Sequence, residues 1–118
     1  MSRMPHPIQT TVKIVLAIIC TSCATPAERA GYDAFLDNIA QDCKPLIIGS
    51  DNLGEAISNN GLAGADPDHY HDFLTATKAL YYGNVPGAVY RNSLTGQLGG
   101  GPYNDHSFDC IVAHLPRN

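Results

Sequence analysis

The longest apolar run of the chain lies close to its N-terminus, and it decides how much of the sequence is left to fold. Residues 14–20 form this run, which follows a stretch with two basic residues and precedes small residues around Cys23. This order is typical of a secretory signal peptide. The run is about half as long as the roughly 20 residues that a membrane-spanning helix needs. We therefore expect residues 1–22 to be removed on export and residues 23–118 to form one small domain. A buried N-terminal segment of a cytosolic protein is the alternative.

The end of the apolar segment resembles the lipobox of bacterial lipoprotein signals. In that family an apolar residue, often Leu, stands three before the modified cysteine and two small residues follow it. Here Cys20, Thr21 and Ser22 precede Cys23, and Cys20 departs from the pattern. The resemblance implies a diacylglycerol group on Cys23 and attachment to a membrane in the periplasm or cell envelope. Ordinary cleavage after Ala24 is the alternative.

Loss of residues 1–22 makes the rest of the chain more acidic. Five basic and eleven acidic residues remain, so the formal net charge falls from −4 to −6. Such a domain is a poor ligand for nucleic acid or for an anionic membrane surface. We expect no nucleic-acid partner, and we expect membrane contact through a lipid anchor only.

Two of the four cysteines, Cys43 and Cys110, lie in the remaining domain. In an oxidising compartment two cysteines most simply form one disulfide. That bond would close a loop of 66 intervening residues, worth about 4 kcal/mol by the chain-entropy argument. Two separate buried thiols are the alternative. We expect no cofactor, and no metal on this pair, on the ground that no histidine stands at a zinc-motif spacing from either cysteine.

Capping signals and apolar periodicity predict a mainly α fold, a single-domain bundle of four to five short helices with one disulfide. The first helix is predicted over residues 26–43, where Thr25-Pro26-Ala27-Glu28 reads as a capping box. Further helices are predicted to begin at Ser50–Asp51, at Asp66–Pro67, at Pro86 (ending at Gly96) and at Asp105 or Ser107. The last element could instead be a strand, because Ile111 and Val112 are β-branched.

Two polar clusters could carry chemistry. The first holds His69 and His71 among the acids of residues 66–72, but on a helix these histidines point about 200° apart and cannot share one ion. The second, Asp105-His106-Ser107, forms a hydrolase triad on paper without a nucleophile-elbow motif. We interpret both clusters as capping, loop and solvated residues, and the glycines of 96–101 as a flexible loop. The sequence thus predicts no catalytic residue.

The candidate partner-binding residues are Tyr82, Tyr90, Arg91 and Tyr103. Tyrosine and arginine are the side chains that most often anchor protein interfaces, although tyrosines also cover the edge of a core. We therefore expect a non-enzymatic protein that binds a protein partner in the envelope, as an assembly factor or an inhibitor of immunity type. The alternatives are a periplasmic protein that binds a small ligand or a metal, and a small hydrolase.

Overall fold

The fold is mainly helical, as predicted. A computed structural model describes residues 26–116, with side chains from Ala30 onward. This part of the chain contains five helices and one hairpin: α1 (Pro26–Asp42), β1 (Ile47–Ile48), β2 (Asp51–Asn52), α2 (Leu53–Ser58), α3 (Pro67–Tyr81), α4 (Gly87–Leu98) and α5 (Asn104–Ala113). The predictions made for residues 1–22, for lipidation of Cys23 and for a cap at Thr25 lie outside the described residues.

The chain divides into two compact units, Met1–Ala30 and Gly31–Asn118. Of the first unit the structure describes residues 26–30, which are the first residues of α1. Every contact reported below lies within residues 31–116. Across the described residues, no helix combines the length and the apolar character needed to cross a membrane.

One apolar core joins all the elements of the second unit. Each helix contributes residues spaced three or four apart, which is the spacing that places side chains on one helical face. The largest fully buried side chains include Ile39 of α1, Ile48 of β1, Leu53 of α2, Phe73 of α3, Tyr90 and Leu94 of α4, and Phe108 and Ile111 of α5. Gly31 lets α1 approach α3 closely, because a Cβ there would lie 2.8 Å from the Tyr81 hydroxyl.

Capping signals in the sequence predicted the start of α3 correctly and the start of α2 wrongly. Asp66 caps α3 as predicted, its Oδ1 accepting the N–H groups of Asp68 and His69 at 2.9 and 3.2 Å. The cap of α2 is Asn52, which accepts from the Glu55 N–H at 3.1 Å, so the prediction of Ser50–Asp51 was wrong. The apolar residues Ile47 and Ile48 form β1, which pairs antiparallel with β2. Asp51, which we predicted to cap α2, lies in β2 instead.

The last element is the helix α5, and side chains on its buried face hold the edge of β1. Ser107 Oγ donates to the Ile47 carbonyl at 2.7 Å and accepts the Ile47 N–H at 3.0 Å. Asn104 Oδ1 accepts the Gly49 N–H at 2.8 Å. The prediction that Asp105 or Ser107 caps α5 was therefore wrong. The N-cap is Tyr103, with no side-chain hydrogen bond to the helix.

The glycine-rich connection before α5 packs against the hairpin. A Cβ on Gly101 would lie 2.7 Å from the Gly49 carbonyl oxygen, and a Cβ on Gly49 would overlap the Leu98 carbonyl. Helix α4 runs to Leu98, two residues past its predicted end at Gly96. The flexible loop that we predicted over 96–101 is thus partly helix and partly a packed connection.

Candidate functional site

Cys43 and Cys110 are joined by a disulfide, which confirms the predicted pairing. Their Cα atoms are 5.7 Å apart, within the range of native disulfides. Cys43 directly follows α1 and Cys110 lies in α5. The bond therefore ties the end of the first described helix to the last one.

His114 lies beside this disulfide. Its Nδ1 is 3.9 Å from Cys43 Sγ, 3.8 Å from Cys110 Sγ and 2.9 Å from the Cys110 carbonyl oxygen. Its Nε2 lies 3.1 Å from Asp42 Oδ2. We call these four residues, Asp42, Cys43, Cys110 and His114, the disulfide corner.

The disulfide corner contains a set of potential metal ligands that the sequence argument missed. The two sulfurs and a ring nitrogen of His114 lie within 4.8 Å of one another. We argued that no histidine stands at a zinc-motif spacing from either cysteine, and this was wrong. His114 follows Cys110 by four residues, so that one helical turn brings the two side chains onto the same face.

A second histidine–carboxylate pair holds the junction between β2 and α3. His69 Nδ1 lies 2.8 Å from Asp51 Oδ2, and Asp51 Oδ1 accepts the Asp66 N–H at 3.0 Å. Only 7% of the Asp51 side chain is exposed, against 38% of that of His69. The hydrogen bond to Asp51 raises the pKa of His69 above its usual range, against the opposing effect of partial burial. We call Asp51, Asp66 and His69 the hairpin junction.

The hairpin junction corrects the interpretation of residues 66–72 as solvated acids and histidines. Asp66 is the cap that we predicted, but His69 bonds to a buried aspartate from another element. His71 is exposed, in agreement with the interpretation. Asp51 lies 18 residues before His69, which is too far for any local spacing rule to connect them.

The triad that can be written from Asp105, His106 and Ser107 is not assembled. Ser107 is buried and its hydroxyl is engaged with both backbone groups of Ile47. His106 Nε2 lies 2.9 Å from the Cys43 carbonyl oxygen, and Asp105 pairs with Arg91 at 3.1 Å. Asp105, His106 and Ser107 therefore contact three different partners and do not form a triad.

The structure removes Tyr90 from the predicted partner-binding surface. Only 1% of Tyr90 is exposed, and its hydroxyl lies 2.8 Å from Thr77 Oγ1, which is also buried. Burial raises its pKa above the usual range, and the bond to Thr77 opposes this. Tyr90 also packs edge-to-face on Phe108. It is a core residue that joins α3, α4 and α5.

The other three predicted residues keep exposed surface. Arg91 contacts Asp105 Oδ1 at 3.1 Å and Asp109 Oδ1 at 2.5 Å, and its guanidinium lies 5.1 Å from the centre of the Phe108 ring. Tyr103 is 45% exposed at the start of α5. Tyr82 is half-buried, and its ring packs edge-to-face on that of Tyr81.

A groove and an exposed valine connect Tyr82 with the helix that carries Arg91. The groove, of about 330 Å³, is lined by Tyr82, Val85, Gly87 and Leu115 among others. Val112, which is 42% exposed, lies next to Gly87, since a Cβ there would be 3.9 Å from Val112 Cγ2. Sequence periodicity assigned Val112 to the apolar stripe of α5, so its exposure was not foreseen.

Comparison with protein-family models, with curated proteins and with solved structures gives no match to this chain.

Proposed function

We propose that this chain is exported, is anchored in the cell envelope by a lipid on Cys23, and acts by binding a partner protein. The binding surface consists of Tyr82 and its groove, together with the exposed faces of α4 and α5 around Arg91 and Val112. We call it the α4–α5 surface. Tyr103 precedes Val112 by nine residues, which places it about 180° around α5 from Val112 and outside this surface. The lipobox-like end of residues 1–23 supports the anchor, and the geometry of this surface supports the binding role.

The observation that carries the proposal is the proximity of Gly87 to Val112. Gly87 lines the groove of Tyr82, and a Cβ at Gly87 would lie 3.9 Å from Val112 Cγ2. Arg91 lies one turn further along α4. A groove with apolar and polar walls, an exposed valine and an arginine therefore adjoin on one surface. Apolar centres with a polar rim and tyrosine or arginine anchors are typical of protein interfaces.

The charges of this surface indicate the kind of partner. The side chains of Asp105 and Asp109 are 94% and 73% exposed, and they share the single guanidinium of Arg91. The surface is thus locally acidic, within a domain of net charge −6 once residues 1–22 are lost. Charge complementarity favours a basic partner surface that offers an apolar side chain to the groove.

Site-specific photo-crosslinking in cells tests the proposal. A photoreactive amino acid is placed at Val112 or at Asp109 in the full chain, and at Leu62 as the control. The side chain of Asp109 is 73% exposed beside Arg91. Leu62 is 90% exposed, so it tests whether exposed apolar character alone gives cross-links. We expect one shared cross-linked product from positions 112 and 109 and none from 62. The same product from all three positions, or no product from 112 and 109, would contradict the proposal.

Two variants test the binding surface and the lipid anchor separately. Val112→Asp should weaken partner binding by about tenfold or more, as loss of an interface anchor does, while the protein stays in the membrane fraction. Cys23→Ser should move the protein to the soluble fraction and leave partner binding by the purified chain unchanged. Recovery of Cys23→Ser in the membrane fraction would contradict the lipid anchor.

A further inference from the structure

We propose that reduction of the Cys43–Cys110 disulfide creates a site for a thiophilic divalent cation, Zn²⁺, with Cys43 Sγ, Cys110 Sγ and His114 Nδ1 as ligands. Thiolate and imidazole are the donors that zinc prefers in proteins. Here two sulfurs and one ring nitrogen already lie within 4.8 Å of one another. This inference is independent of the α4–α5 surface.

The two nitrogen–sulfur distances in the disulfide corner are close to those of a tetrahedral zinc site. Bonds of about 2.3 Å to sulfur and about 2.05 Å to nitrogen place each sulfur about 3.5 Å from the nitrogen, and the two sulfurs about 3.8 Å apart. His114 Nδ1 lies 3.9 Å from Cys43 Sγ and 3.8 Å from Cys110 Sγ. Both nitrogen–sulfur distances are within a few tenths of an ångström of the required value. The main movement is the parting of the two sulfurs once their bond is broken.

Asp42 orients the histidine for this role. Its Oδ2 lies 3.1 Å from His114 Nε2, an acceptor that keeps a proton on Nε2 when the cation is bound. Zinc-binding histidines usually donate their other N–H to a carboxylate or a carbonyl in this way. In the disulfide form Nδ1 lies 2.9 Å from the Cys110 carbonyl oxygen and donates its proton there. The cation replaces this proton on Nδ1, the atom that faces the two sulfurs.

The local sequence keeps the members of two pairs in the corner adjacent without the disulfide. Cys110 and His114 are one helical turn apart at the end of α5, and Asp42 and Cys43 are consecutive at the end of α1. Cys43 is fully buried, whereas Cys110 and His114 are half-buried. The site therefore has one side open to solvent, through which the cation enters and where water completes the fourth position.

The disulfide and the bound cation are alternative states of the same residues. A dithiol reductant donates two electrons and two protons to the disulfide, becomes a disulfide itself and leaves two thiols on the protein. Zn²⁺ then displaces the two thiol protons and the proton on His114 Nδ1, which pass to water, and Nδ1 supplies the third bond. The oxidised protein has no thiolate to offer at this site, so we expect metal binding in the reduced state only.

Cobalt binding tests this site directly. The full chain carries Cys20→Ser and Cys23→Ser, so that its only thiols are Cys43 and Cys110. It is reduced with a phosphine, which takes up the oxygen of one water as the disulfide gains two hydrogens, and is titrated with Co²⁺ without oxygen. We expect about one equivalent to bind, with the charge-transfer absorption of cobalt thiolate, and Zn²⁺ to remove that absorption. No absorption in the reduced protein, or equal binding by the oxidised protein, would overturn the proposal.

Three variants assign the ligands. In the reduced state His114→Gln should abolish the one-to-one site, and Asp42→Asn should weaken it by about 10- to 100-fold, as loss of a carboxylate behind a zinc-bound histidine does. His71→Gln is the matched control, because His71 is exposed on α3 and lies outside the disulfide corner. Unchanged affinity in His114→Gln would overturn the assignment.

If the reduced chain loses its helical structure, circular dichroism tests the same site through the recovery of that structure on adding the cation. In that case Zn²⁺ should restore the helical signal of the reduced parent and of His71→Gln, but not that of His114→Gln. Cation binding that leaves the reduced parent unfolded would contradict a site formed by the folded corner.

Discussion

The hairpin junction and the disulfide corner each contain a histidine bonded to an aspartate, but the two are built in opposite ways. In the hairpin junction the carboxylate is buried and the histidine is the more exposed partner. In the disulfide corner Asp42 is 59% exposed and His114 is 29% exposed. The buried carboxylate also accepts a backbone N–H from the start of α3, so it is part of the fold.

This difference separates a structural pair from one that is available for chemistry. Removing one partner of a buried, hydrogen-bonded pair leaves an unsatisfied group and is costly. An exposed pair contributes little stability, but it can still orient a ring. At the corner the oriented ring points its other nitrogen at two sulfurs.

The largest expected loss of stability comes from removing the disulfide of the disulfide corner. Replacing Cys43 and Cys110 together by Ala should lower the free energy of unfolding by about 4 kcal/mol, because the unfolded chain regains the entropy of a loop of 66 intervening residues. Urea denaturation of the double variant against the Cys20→Ser/Cys23→Ser parent measures it. A loss smaller than that of Asp51→Ala would reverse the ranking of the two regions.

The second effect is that of the buried carboxylate in the hairpin junction. Asp51→Ala should cost about 1–3 kcal/mol, because the Asp66 N–H and His69 both lose their acceptor. Asp51→Asn is the matched control and should cost less, since its side-chain oxygen still accepts from Asp66. Equal losses in the two variants would show that the acceptor for the Asp66 N–H contributes nothing, because Asn keeps both that acceptor and the packing of the side chain.

A smaller effect concerns pH. Because Asp51 raises the folded-state pKa of His69, this pair should stabilise the protein fully below about pH 6.5, the usual histidine pKa. The contribution should be lost as the pH rises through the raised folded pKa. Unfolding free energies measured between about pH 5 and 8 should therefore fall more steeply in the parent than in His69→Gln. Parallel profiles would contradict the assignment.

The smallest effect is expected at the exposed carboxylate of the corner. Asp42→Ala should lower the free energy of unfolding by less than about 1 kcal/mol, the usual value of a surface ion pair. The same urea measurement checks it. A loss as large as that of Asp51→Ala would show that the two pairs do not differ as their exposure indicates.

Local signals predicted α1 and the start of α3 well. The apolar stripe and the capping residues placed α1 at residues 26–43, within one residue of its observed end, and Asp66 with the proline that follows it marked the start of α3. The disulfide followed from the cysteine count and the inferred compartment alone. The helix predictions succeeded because caps and apolar stripes depend on residues that are neighbours in sequence. The disulfide prediction succeeded because only two cysteines remained to pair.

Contacts between distant residues were not predictable in the same way. Asp51 and His69 are 18 residues apart, and Ser107 meets β1 across 60 residues. The hydroxyl of Tyr90 is buried without an unsatisfied hydrogen bond because it meets Thr77, 13 residues earlier. Only the spacing of Cys110 and His114 was a local signal that could have been read, and it was overlooked.

The disulfide also has a consequence for proteolysis. The backbone between Cys43 and Cys110 and the bond between them form a covalent ring, and the exposed Leu62 lies in a surface loop of that ring. A protease that cuts this loop once opens the ring but releases no fragment. The nicked protein should migrate as one piece in a gel without reductant and as two with it, so damage to the loop stays hidden until the sulfurs part.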